Sequence, residues 1–97
     1  EIQADIGTSI NAVLDGVVST ITFIRGHGNI IIIDHGGGYN TVYAQLKNIK
    51  VNENEYVKIG EKIAEIASNG KSKKGKLHFE VWGNKQKLNP EYWLSKK

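Results

Sequence analysis

Ile30-Ile31-Ile32-Ile33-Asp34-His35-Gly36-Gly37-Gly38-Tyr39-Asn40-Thr41-Val42-Tyr43-Ala44-Gln45-Leu46 reads as a strand, a glycine break and a second strand. The four isoleucines suit a strand buried on both faces. The three glycines interrupt it. From Tyr39 the period is two, which places Thr41, Tyr43 and Gln45 on one face and Val42, Ala44 and Leu46 on the other. Working outward, Val17 to Ile24 shows the same alternation, rich in β-branched residues. Asp15-Gly16 predicts a hairpin between Ile10–Leu14 and Val17–Ile24, and Gly26-His27-Gly28-Asn29 marks a further turn. Towards the C-terminus, Tyr56–Ile59 and Lys62–Ile66 are short strands around Gly60-Glu61. Ser68–Gly75 reads as a polar loop, and Lys76–Trp82 as the last long strand. Asn89-Pro90 suits the cap and first position of one helical turn over 91–94. Many short strands with frequent turns predict an all-β sandwich or barrel-like domain.

Length and composition agree with that reading. Ninety-seven residues allow one small domain, and 39% apolar with 24% charged residues is an ordinary soluble composition. No run approaches the roughly 20 apolar residues of a membrane-spanning helix, so the chain is expected to contain no membrane segment. It has no initiating Met and no leader pattern, which suggests a fragment of a longer protein. Without cysteine there is neither a disulfide framework nor a thiolate metal site. The net charge of +3 is concentrated late, at Lys71, Lys73, Lys74, Lys76, Lys85 and Lys87 and at the terminal Lys96 and Lys97. The segment from Lys71 to Lys76 carries no aromatic for base stacking, so a solvated loop is the reading and nucleic acid is excluded as a partner.

Strand alternation sets Lys76, His78, Glu80 and Trp82 on one face of the last long strand and Leu77, Phe79 and Val81 on the other. The second set predicts core. If Tyr43 and Gln45 lie on a neighbouring strand, the first set lines a polar groove. Among the remaining histidines, His27 between glycines reads as a turn residue, and His35 as a structural hydrogen-bonding residue. Trp82 and Trp93 read as packing residues.

In order and spacing, Gly7-Thr8-Ser9-Ile10-Asn11-Ala12-Val13, Asp15-Gly16-Val17-Val18, Asp34 to Leu46, Val51 to Ile66, Leu77-His78-Phe79-Glu80-Val81 and Leu88-Asn89-Pro90 resemble the lysostaphin/LytM peptidase family. The match runs over nearly the whole chain. The resemblance implies a LytM-like, duplicated-hybrid-motif β domain with a groove across one sheet. It also implies a bacterial envelope or periplasmic setting.

Active members hold zinc in that groove and cut peptide cross-bridges of peptidoglycan. Their ligands are a His and an Asp four residues apart plus the second His of His-x-His. The first His of that pair and a His after Tyr-x transfer protons. Zinc needs such ligands and one open position for an activated water, and the proton shuttle needs an imidazole. His78 matches the second His of the pair, and Glu1 aligns with the early carboxylate, so Glu1 and His78 are the candidate relic ligands. Lys76 stands where the first His would be, and its ammonium has no lone pair to offer a metal. Gln45 stands where the His after Tyr43-Ala44 would be, and an amide does not exchange a proton near pH 7.

The expectation is therefore a domain with no catalytic residues and no cofactor, resembling degenerate members of the EnvC and NlpD activator type. Its partner is expected to be a peptidoglycan amidase or another cell-wall hydrolase, docked on a groove of Tyr43, Gln45, Lys76, His78 and Glu80. Two alternatives remain open: a divergent zinc metallopeptidase cleaving cross-bridges, in which zinc is the cofactor, and a structural module that binds peptidoglycan itself.

Overall fold

The computed structural model describes residues 2–68, 74–83 and 86–88. Its strands are β1 (Ile2–Asp5), β2 (Ser9–Asn11), β3 (Gly16–Ile24), β4 (Gly28–Gly36), β5 (Tyr39–Lys47), β6 (Tyr56–Val57), β7 (Lys62–Ile66), β8 (Lys74–Gly83) and β9 (Gln86–Leu88). Every pairing is antiparallel, and no helix occurs among the described residues. None of them forms a helix long and apolar enough to cross a membrane. The expected helical turn after Asn89, Trp93 and the candidate ligand Glu1 lie outside the described residues.

The strands run β1-β8-β5-β4-β3-β6, with β9 beside β8 and β7 joining β2 to β5. β4 is buried on one face and partly on the other: Ile31 and Ile33 are fully covered on one side, while on the other Ile30 is nearly so and Ile32 is half-buried. The glycine break makes the β4–β5 hairpin, where Gly36 pairs with Tyr39 and Gly36, Gly37 and Gly38 all have positive φ.

The expected hairpin at Asp15-Gly16 does not form. β2 stops at Asn11 and pairs with β7, while β3 pairs with β4 and β6. Gly16 serves close packing instead of a turn. A Cβ there would meet the Asp34 carbonyl oxygen at 2.6 Å and Ile33 Cγ2 at 2.7 Å, so only glycine lets β3 lie against the end of β4. Asp15 clamps a distant segment, accepting from the Ile59 amide at 2.6 Å and the Tyr56 hydroxyl at 3.2 Å. The expected Ser68–Gly75 loop also needs correction at its end. β8 begins at Lys74, and Gly75 is buried where a side chain would collide with Ile66 and the Ala67 carbonyl.

The core lies on the face that carries Val18, Ile31, Ile33, Tyr43, Phe79 and Val81, closed by Ile10, Val57 and Ile63. Alternation in β3 is interrupted by a bulge between Val18 and Thr20. The extra residue returns Ile21 to the core side, and the strand ends with Phe23 and Ile24 exposed.

Candidate functional site

β5 and β8 pair with Ala44 opposite His78, Val42 opposite Glu80 and Asn40 opposite Trp82. β8 sorts its side chains as expected: Leu77, Phe79 and Val81 are buried, while Lys76 is exposed and His78, Glu80 and Trp82 are half-buried. The apolar set fixes the strand, and the other set stands as polar posts over a floor from β5.

Glu80 organises those posts. One carboxylate oxygen lies 2.5 Å from His78 Nε2, and the other accepts from Trp82 Nε1 at 2.8 Å. A carboxylate only accepts, so His78 Nε2 is the donor of this bond. A carboxylate behind an imidazole is also how metal-binding histidines are oriented.

Gln45 breaks the alternation expected of β5. Its φ is 67°, a left-handed value costly for a residue with a side chain. Here β5 changes partner, pairing with β8 up to Ala44 and with β7 from Leu46. The Gln45 amide donates to the His27 carbonyl at 3.0 Å, and its carbonyl accepts from Ala67 at 2.9 Å. The backbone of Gln45 thus lies against Gly28, at the β3–β4 turn. His27 does form that turn, as expected, but its ring also comes within 6.4 Å of the His78 ring. Nothing in the flanking glycines pointed to that second feature, because it depends on where β5 changes partner.

Tyr43 does not share a face with Gln45, and its expected place in the groove is corrected. It is 1% exposed, packs on Phe79 at a ring separation of 5.3 Å, and belongs to the core. The bulge at Gln45 sends the two side chains to different environments. The Tyr43 hydroxyl lies 2.9 Å from Thr41 Oγ1 and accepts from the Val13 amide at 3.3 Å. Burial raises its pKa, partly offset by the bonds to Thr41 and Val13. Thr41 in turn meets His35 Nε2 at 2.7 Å, and His35 Nδ1 donates to the Asp15 carbonyl at 2.7 Å. His35 therefore holds the structural role expected of it.

Active members hold their zinc with three ligands, and of those positions only His78 lies among the described residues. Among the described residues no three His, Cys, Asp or Glu side chains converge for a metal. The positions that the resemblance gives to proton transfer, not to metal ligation, hold Lys76 and Gln45.

An all-β domain with polar residues carried on one strand over an apolar floor defines the class, and comparison with known proteins makes it specific. The chain belongs to peptidase family M23, whose model matches residues 1–90. It is 30% identical over 95 residues to the murein hydrolase activator EnvC of Escherichia coli, covering 98% of this chain and 23% of that protein. Over 95 residues it is 39% identical to the murein hydrolase activator NlpD of the same organism, covering 97% of this chain and 25% of that one. Among solved structures, a zinc containing peptidase from Vibrio cholerae superposes with a TM-score of 0.79 at 32% identity, over 88% of this chain and 26% of that chain. The chain thus spans about a quarter of the length of these curated relatives.

Proposed function

We propose that this domain is a non-catalytic M23 member that regulates peptidoglycan hydrolysis in the bacterial envelope by binding and activating a cell-wall amidase. The observation that carries the reading is the pair Gln45 and Lys76, which occupy the two positions where the resemblance to active members requires imidazoles. Neither an amide nor an ammonium can take a proton from a water near neutral pH and return it to a leaving amine. The likeness to EnvC and NlpD supports the regulatory half of the proposal. Lys76, His78, Glu80 and Gln45 are the residues assigned to the docking groove.

A second reading, a divergent zinc peptidase, is favoured by one feature: Glu80 still orients His78 as a ligand would be oriented. Dye release from labelled peptidoglycan sacculi separates the two readings. The full-length protein is expected to release nothing alone and to accelerate release by a purified amidase of the same cell. Absence of stimulation for every such amidase refutes the activator role.

A further inference from the structure

The β3–β4 hairpin is unusual in its charge. From Gly16 to Ile33 it carries no carboxylate and one full charge, Arg25 at the tip. Exposed edge strands ordinarily carry charges or prolines that discourage pairing with other chains. The beginning of this edge is covered: β6 pairs with Gly16 and Val17, Asn54 and Glu55 bond the backbone of Val18, and the Glu53 carboxylate caps the Ile21 amide at 2.9 Å. Beyond Ile21, no strand among the described residues lies along the outer edge.

That uncovered stretch is also apolar, with Phe23 66% and Ile24 47% exposed. Two bulky apolar side chains at an open, nearly uncharged edge are a surface that another chain can cover. The stretch is continuous with the polar face, since His27 of the same turn reaches the His78 ring. The full charge on the hairpin itself is Arg25, while the Glu80 carboxylate is engaged by His78 and Trp82.

We infer that the edge and tip of the hairpin, Thr22 to Arg25, anchor an extended segment of the partner hydrolase. That segment lies alongside β3, covers Phe23 and Ile24 with apolar side chains and places a carboxylate at Arg25. This rests on the activator reading and specifies the chemistry of the partner. An aliphatic or aromatic residue with a neighbouring Asp or Glu is required by the apolar pair and the cation beside it.

The test compares full-length protein with a Phe23→Ser/Ile24→Ser variant, and with Ile59→Ser, an equally exposed apolar residue (63%) far from the tip. Binding to the purified amidase of the same cell is measured by fluorescence anisotropy, with stimulation of dye release alongside. The double variant is expected to bind at least about tenfold more weakly with an unchanged unfolding midpoint, and Ile59→Ser to bind as the parent does. Arg25→Glu should weaken binding and reverse its salt dependence. Equal binding by parent and double variant overturns the anchor while leaving the activator reading intact. Equal loss in Ile59→Ser also overturns it, because the effect would not belong to the tip. A parent that is dimeric where the double variant is monomeric makes the occupant a second copy and overturns it too. A parent that neither binds nor stimulates any amidase removes the activator reading and the anchor together.

Discussion

The two faces of the β5–β8 pair share a backbone but follow different rules. On the inner face Tyr43 stacks on Phe79, and the tyrosine hydroxyl is tied to Thr41 and the Val13 amide. On the outer face Ala44 lies under His78, and Glu80 joins His78 to Trp82. The inner face fixes position, because each group there is satisfied only in one arrangement. The outer face can change its chemistry at little cost in stability, since its side chains stand partly in water. In the proposed reading, this is what lets a lysine and a glutamine stand at imidazole positions without loss of the M23 fold.

Breaking the inner face should give the largest effect. Phe79→Ala is expected to lower unfolding stability by about 3–5 kcal/mol, measured by urea denaturation. Tyr43→Phe, which leaves Thr41 Oγ1 and the Val13 amide short of a partner, should cost about 1–2 kcal/mol in the same assay. On the outer face Glu80→Gln should cost no more than about 1 kcal/mol, because the His78–Glu80 pair is partly solvated. Its signature is local: the Nε2 nitrogen resonance of the His78 ring should shift, because its carboxylate acceptor is gone. A stability loss as large as that of Phe79→Ala would mean that the outer face also holds the fold.

The smallest expected effect concerns Glu65. Hydrogen bonds from Lys62 and then Asn48 hold its pKa at about 2, below the usual 4.5. A lowered folded-state value stabilises the fold above the ordinary carboxylate range, and this contribution disappears as pH falls from about 4.5 towards 2. Lys62→Ala should move the Glu65 titration, followed by carboxyl NMR, back towards its ordinary value. The stability change should be small, because the pair is on the surface.

Much of this division could be read from the sequence. The period of two in β8 assigned Leu77, Phe79 and Val81 inward and Lys76, His78 and Glu80 outward, and the glycines located the β4–β5 hairpin. Tyr43 was misplaced because one bulge residue, Gln45 with its left-handed φ, ends the alternation; periodicity carries no sign of such an insertion. Asp15-Gly16 looked like a hairpin for a related reason. Local turn chemistry cannot reveal that β2 pairs with β7, some fifty residues away, or that Gly16 is needed for its lack of a side chain. The approach of His27 to His78 likewise arises from long-range strand order.

In the proposed reading the outer face has the M23 framework without its hydrolytic chemistry. The most direct measurement is muropeptide analysis by mass spectrometry after peptidoglycan is incubated with the full-length protein alone, supplied with stoichiometric zinc. The same cross-linked fragments as in the untreated control are expected, with or without chelator. Cross-bridge cleavage that appears with zinc and disappears with chelator would contradict that reading.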